Sequence, residues 1–424
     1  MRVLDGLLFF PRGGSAHVAR ALATELPAHG WDVTLLTGSL PGLGDAEHFY
    51  DGLDLHAADL RDAPLVATYE DGPSTEERCV GRISDADHDA LVSYWADELR
   101  AAGAEDADVL LLNHLTPLNE AAAQVAPHVP VVGQLHGTEL MFLERVASGA
   151  PADWRHAEAW AERMRRWAHG CERLLMQTTA NVERASSLLD VDPAVCTVLP
   201  NGFDPQGFRP APVERAAFWQ HHVGEDLEDA VVLVSVGRFT AVKRHGALIR
   251  AFAKAQRRTR RRAALVIVGG YPGEVEGEHP QDAIAESGAG DVFLAGWHDH
   301  DALPAFFNAA DAQVLNSARE QFGLVLVEGM ACGLPAIAIN RLGPTEIVED
   351  GRTGWLVEPE DEEQLVQAIV DAVDDGAERA RRGIAARQAA IERWSWPAIA
   401  ERLGTVLDDA APARDGDTAD VTSG

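Results

Sequence analysis

Lysine is nearly missing from this 424-residue sequence: only Lys243 and Lys254 stand among its 36 basic residues, against 67 acidic ones, for a formal net charge of −31. So strong a negative field repels phosphate backbones and anionic lipid, which argues against a nucleic-acid partner. The one basic run, RRTRRR at residues 257–262, follows a helical pattern and precedes an apolar run, so it reads as a solvated helix end. Cysteine is scarce too. Cys79, Cys171, Cys196 and Cys332 show no C-x-x-C spacing, which excludes a disulfide miniprotein and fits a reduced compartment. No stretch reaches the roughly 18 apolar residues of a membrane span, and MRVLDGLLFF has too short an apolar core for a signal peptide. The expectation is a soluble, cytoplasmic protein.

What remains is ample for folding: 46% hydrophobic residues and 6% aromatics suit a globular α/β chain. The length predicts two domains of roughly 200 residues each. Short β-rich runs alternate with longer helical patterns from end to end. In the first half they lie at 3–10, 32–37, 109–113, 129–135 and 173–178, and in the second at 230–236, 263–268, 291–295, 312–316, 335–339 and 354–357. Alternation of this kind predicts parallel sheets with helices on both faces, and its double occurrence predicts two doubly wound, Rossmann-like α/β domains. Prolines and glycines crowd together at 198–212, which sets the domains at 1–205 and 206–395. A last amphipathic helix at 396–408 is expected to pack back on the first domain, and 410–424 reads as a frayed tail. Open α/β sheets bind ligands beyond the carboxyl ends of their strands, so a cleft between the two domains is the expected site. The pattern Trp160, Met164, Trp167, Cys171 on a helix spanning 154–171 reads as core packing.

Three stretches carry candidate chemistry. PRGGSAH at 11–17 follows the first strand and opens a helix; its Gly13–Gly14 turn lets backbone N–H groups approach an anion. It is not G-x-G-x-x-G, which counts against a dinucleotide oxidoreductase. VSVGRFTAVKRHGALIRAF at 234–252 runs from a strand through Arg238 and Lys243 into a helix, two cations suited to a diphosphate leaving group. EQFGLVLVEGMACGLP at 320–335 places Glu320 on a loop and Glu328 a turn and a half into a helix stopped by Gly333, with the amides of Phe322, Gly323 and Leu324 at its start. Spacing alone says little, because about 10 acid pairs are expected at any separation in so acidic a chain.

Taken together, these stretches resemble the family-4, group 1, glycogen-synthase-like retaining glycosyltransferases of GT-B fold. The resemblance runs through GGSAH, QLHGTEL (134–140), PNGFDPQGF, GRFTAVK, EQFGLVLVEGMACGLPAIA, GPTEIVEDGRTGWLV (343–357) and ERWSWPAIAERL (392–403). It implies that the Gly14 amide, Arg238 and Lys243 hold the diphosphate of a nucleotide-sugar donor. It implies further that Glu320 contacts donor-sugar hydroxyls, assisted by the amides of Phe322, Gly323 and Leu324, and that Glu328 binds the ribose. His136 would sit beside the reacting centre, and backbone near Trp297 and His298 would meet the nucleobase. His298, Asp299, His300 and Asp301 read as a solvated loop rather than a metal site, and Asp85, Asp87 and Asp89 as an unlikely D-x-D. No metal and no further cofactor is implied. The chain departs from the family pattern at 342–346, LGPTE, and at Gly329, where alanine is common. Residues 38–106 match no pattern, and acceptor recognition is expected partly there.

The implied reaction moves a hexose or amino-hexose, UDP- or GDP-linked, to an acceptor hydroxyl with retention. No residue stands out as a covalent nucleophile, so same-face attack assisted by the leaving phosphate is favoured over double displacement. A nucleotide-sugar epimerase or sugar phosphorylase on the same fold, and a non-catalytic binding protein, are the competing readings.

Overall fold

Both sets of apolar runs fold as parallel strands, as a computed structural model describing residues 1–11, 14–69, 77–270, 277–320 and 322–412 shows. The strands of the first half are β1 (Arg2–Leu7), β2 (Asp32–Ser39), β3 (Leu55–Asp59), β4 (Val66–Thr68), β5 (Glu77–Cys79), β6 (Val109–Asn113), β7 (Val131–Gln134), β8 (Arg173–Met176) and β9 (Cys196–Val198). Seven of them form one parallel sheet in the order β3-β2-β1-β6-β7-β8-β9, and β4 pairs with β5 separately. The second half gives β10 (Val231–Val236), β11 (Ala263–Val268), β12 (Val292–Gly296), β13 (Ala312–Leu315), β14 (Ala336–Ile339) and β15 (Gly354–Val357), in the order β12-β11-β10-β13-β14-β15, again all parallel. Two doubly wound, Rossmann-like sheets result.

The cores follow from strand periodicity. Along β10, Val231 and Leu233 pack into a cluster with Leu248, Ile249, Phe252 and Ile369, whereas Val232 and Val234 enter another with Trp219, Phe306, Phe307 and Met330. Buried on both faces, such a strand reads as a continuous apolar run. In the first half, Trp160, Met164, Trp167 and Cys171 are all buried, as their spacing predicts. Their helix spans Ala157–His169 rather than 154–171, because Pro151 to Trp154 close a turn ahead of it, the Trp154 N–H donating to the Pro151 carbonyl.

Contacts divide the chain into Met1–Pro200 with Ile399–Gly424, and Asn201–Ala398. Residues of the last helix, Trp396–Ala410, accordingly have partners in both units. Trp396 lies against Gly202, where an added Cβ would stand 2.5 Å from its ring, and Asp408 accepts from Trp31 Nε1 at 3.0 Å.

Several expectations are corrected. The first strand ends at Leu7, not residue 10, because the Phe9 carbonyl turns aside to accept from Thr37 Oγ1. Residues 38–106, unreadable by pattern, hold β3, β4, β5 and the helix Asp85–Ala101. Asp85 and Asp87 sit in the first turn of that helix, where carboxylates are favoured. Asp85 pairs with Arg163 at 2.6 Å and Asp87 with Arg78 at 3.0 Å. The arginines of the 257–262 run are exposed at a helix end, as expected, and are laced to acids, Arg258 with Glu363, Arg260 with Asp374 and Arg262 with Asp291.

Candidate functional site

The order of the second sheet reverses between β10 and β13, and loops leaving the carboxyl ends of such neighbours diverge, which is where open α/β sheets bind ligands. Strand β10 leaves through Gly237, whose carbonyl would stand 2.0 Å from any Cβ on Gly269, so the two strand ends approach with no side chain between them. The loop carries exposed Arg238, then a short turn over Ala241–Lys243 and the helix His245–Gln256. His245 Nε2 donates to the Arg238 carbonyl at 3.1 Å, and the Ala318 N–H donates to the Val242 carbonyl at 2.8 Å, joining this loop to the one after β13. At that junction Lys243 Nζ meets Glu320 Oε2 at 2.7 Å.

Beyond Glu320 the chain turns into the helix Leu324–Ala331 through Gly323, whose φ of 102° is open to glycine and strained for other residues. The Leu324 and Val325 N–H groups that open this helix have no carbonyl a turn earlier and are available to oxygen ligands, whereas the Leu326 N–H already donates to the Gly323 carbonyl at 2.8 Å. Gly343 holds the loop in place: its N–H donates to the Glu320 carbonyl at 3.1 Å, and its α-carbon lies against the Phe322 backbone. The departure at 342–346 is thus a support of the site. Gly329 has a comparable explanation. An alanine methyl there would stand 2.3 Å from Oε1 of the buried Gln313, a side chain that fills the space and donates to the Leu326 carbonyl.

Glu328 is buried at 3% exposure and accepts from His300 Nε2 at 2.7 Å. The His300 side chain is 55% exposed, in keeping with a solvated loop, yet it leans its ring on Phe208 and its tip on Glu328. His298 also packs inward, against His222 and Phe306, and Nε2 donates to the Ala295 carbonyl. Trp297 is 48% exposed just past β12. The hydrogen bond to Glu328 raises the His300 pKa, burial offsets part of this, and the charges of Glu328 and Asp301 add to the rise. A histidine whose folded value lies above its unfolded one stabilises the fold fully below the unfolded value and loses that contribution as pH climbs through the folded one. The stability difference between wild type and His300→Ala is expected to shrink from pH 6 to pH 9, read from thermal unfolding midpoints. A constant difference would assign His300 to packing on Phe208 alone.

The first unit has its own reversal, between β1 and β6. Gly13 lies outside the described residues; Gly14 is exposed and opens the helix Gly14–Glu25. His136, just past β7, directs Nε2 to Asn113 Oδ1 at 2.7 Å, and its main-chain N–H donates to Glu139 at 3.1 Å. Glu139 is fully buried and also bonds His114 Nδ1 at 2.8 Å. Burial pushes the Glu139 carboxyl up, but the His114 charge and hydrogen bond, with His136, bring it below the usual carboxylate range. Burial, then the His114 charge, holds His136 well below its ordinary value and hence neutral at pH 7. Asn113, His114 and Glu139 escaped the sequence reading. Their one sequence signal was a polar pair closing the apolar run VLLLNH; in the structure His114 adopts a φ of 66°.

Within the second unit the structure gathers Lys243, Glu320, Phe322, Gly323, Leu324 and Glu328, with Arg238 on the same loop as Lys243, while Trp297 and His298 follow the edge strand β12. Comparison with known proteins identifies the family. The profile described as glycosyl transferases group 1 matches residues 218–389, and that of glycosyltransferase family 4 matches 12–206. A D-inositol 3-phosphate glycosyltransferase of Saccharomonospora viridis is 33% identical over 301 residues, 69% of this chain and 68% of that one. The GDP-mannose-dependent alpha-(1-6)-phosphatidylinositol monomannoside mannosyltransferase of Mycolicibacterium smegmatis is 32% identical over 225 residues, 51% of this chain and 57% of that one. The match to the D-inositol 3-phosphate glycosyltransferase of Stackebrandtia nassauensis, 33% identical, spans 57% of this chain and likewise little more than half of that relative, 55%. Among solved structures, a glycosyltransferase from Rickettsia africae aligns with a TM-score of 0.71 at 16% identity over 96% of this chain and 98% of that one. Anabaena HepE in complex with UDP aligns at 0.69 and 18% over 96% and 100%. The chain is a GT-B protein and belongs to the group 1, family 4 glycosyltransferases.

Proposed function

We propose that the protein is a retaining glycosyltransferase that moves a hexose or amino-hexose from a UDP- or GDP-linked donor to an acceptor hydroxyl. The observation that carries this reading is the Lys243–Glu320 contact at 2.7 Å on the β10/β13 rim, one helix turn and a half from a buried Glu328. An ammonium held by a carboxylate at the mouth of a helix N-terminus suits a ligand with phosphates at one end and hydroxyls at the other. In this assignment Lys243 and Arg238, with the Gly14 amide, neutralise the diphosphate as it departs, the step at which electrostatic stabilisation accelerates the reaction. Glu320 and the amides of Phe322, Gly323 and Leu324 take the sugar hydroxyls, and Glu328 takes the ribose. Backbone at Trp297 and His298 takes the base, and His136 stands with the reacting sugar. Neither glutamate is an acid/base pair member, because both are committed to hydrogen bonds with the donor.

The relatives named above are transferases, and two are named for inositol 3-phosphate, so a phosphorylated polyol is the first acceptor class to try. The test is incubation with UDP- and GDP-sugars and such acceptors, the product read by the anomeric proton coupling in NMR. Retention predicts an α-glycoside from an α-linked donor. A β-glycoside, or isomerised donor with no acceptor modified, would overturn the proposal.

A further inference from the structure

Asp5 is an acid in the middle of a buried strand. It is fully buried in β1, where an apolar residue would fold at lower cost. Burial pushes its carboxyl up to about 7, and the hydrogen bond from Asn113 offsets part of the rise. Its Oδ1 accepts from Asn113 Nδ2 at 2.6 Å, while Oδ2 has no partner among the described residues.

Asn113 ends the neighbouring strand β6 and is also fully buried. Its Nδ2 lies 3.3 Å from the Gly6 carbonyl as well, and a carbonyl only accepts, so the amino edge of this amide faces β1. Oδ1 then faces the other way, onto His136 Nε2 at 2.7 Å. Because Oδ1 only accepts, the single proton of the neutral imidazole belongs on Nε2, and Nδ1 is left as the ring's acceptor. The ring is fixed from its backbone too, since the His136 N–H is held by Glu139, itself held by His114.

We propose that Asp5 and Asn113 are positioning residues that lock His136 as its Nε2–H tautomer, so that Nδ1 is presented as the acceptor for a substrate hydroxyl. Asp5 Oδ1 accepts from the amide whether or not Oδ2 carries a proton, and with the Gly6 carbonyl it orients Asn113; an asparagine at position 5 both donates and accepts and weakens that preference. The second half of the proposal rests on the placement of His136 beside the donor sugar, whereas the tautomer does not depend on any substrate.

The test is long-range ¹H–¹⁵N correlation on the full-length protein labelled at histidine, with the His136 signals identified by their loss in His136→Gln. In wild type, Nε2 is expected at the protonated shift and Nδ1 at the unprotonated one. In Asp5→Asn the two shifts are expected to move toward each other as the tautomers mix, and kcat to fall roughly tenfold or more with the donor KM little changed. Asn113→Ala, which removes the acceptor outright, is expected to do the same and serves if Asp5→Asn does not fold. An unaltered Nε2–H signature in both variants would overturn the proposal, as would a protonated Nδ1 in wild type. A locked tautomer with no transfer from any donor would instead count against the glycosyltransferase reading alone.

Discussion

Replacing Lys243 by alanine is expected to lower turnover roughly 10²–10³-fold, the size of effect seen when one donor to a developing charge is removed. The unfolding midpoint should fall only modestly, because the pair with Glu320, 21% and 18% exposed, still reaches solvent and the loss lies between the values for surface and fully buried pairs, on the order of 1–3 kcal/mol. The other lysine, Lys254, pairs with Glu362 on the helix His245–Gln256 and serves as a control. Lys243→Arg is expected to recover little: the aliphatic stem of Lys243 runs over Gly237, where an added Cβ would already be 3.4 Å from it, and a planar guanidinium has a different shape and reach. Steady-state kinetics and thermal unfolding on the same preparations separate the outcomes. Equal collapse of activity and stability would make Lys243 a structural residue.

Gly343→Ala should have an effect of similar size for a different reason. Its φ of −48° suits alanine, so backbone strain plays no part. The obstacle is space: the new methyl would stand 2.2 Å from the Phe322 carbonyl oxygen, 2.4 Å from its α-carbon and 2.6 Å from its carbonyl carbon. These are backbone atoms with no rotamer to change, so the backbone at Phe322 must shift by on the order of 1 Å, enough to lower turnover about 10²-fold. Overpacking also reduces stability by about 1–3 kcal/mol. Donor affinity measured by calorimetry decides the point, since a variant that binds as tightly as wild type would place the donor elsewhere than on this loop.

The legible part of the fold was whatever a short window reveals. Strands β10, β11 and β13 are buried on both faces and announce themselves as unbroken apolar runs, and the helix stop at Gly333 follows from its φ of 93°. Strands β3 and β9 are short and half-exposed, so their periodicity is too weak to separate from loop. Much of the second-unit site was legible because its residues sit in two contiguous stretches. His300 was not, because its role depends on Glu328, 28 residues away. The network around His136 was hidden for the same reason. Asp5 and Asn113 are 108 residues apart and meet only through the register that sets Asp5 beside Leu111 and Leu7 beside Asn113. A single acid within the apolar run of MRVLDGLLFF was the one local sign, and its meaning required the neighbouring strand.

Binding of nucleoside diphosphates tests the central claim most directly, that the rim between β10 and β13 holds the diphosphate of a nucleotide sugar. UDP, GDP, ADP and dTDP, each beside its monophosphate, would be titrated into wild type and Lys243→Ala while the unfolding midpoint is followed. At 100 times its dissociation constant a ligand adds about 2.7 kcal/mol to stability. One diphosphate is expected to raise the wild-type midpoint accordingly, with its monophosphate weaker and the shift largely lost in Lys243→Ala. No shift with any diphosphate, or an equal shift in both proteins, would contradict the account.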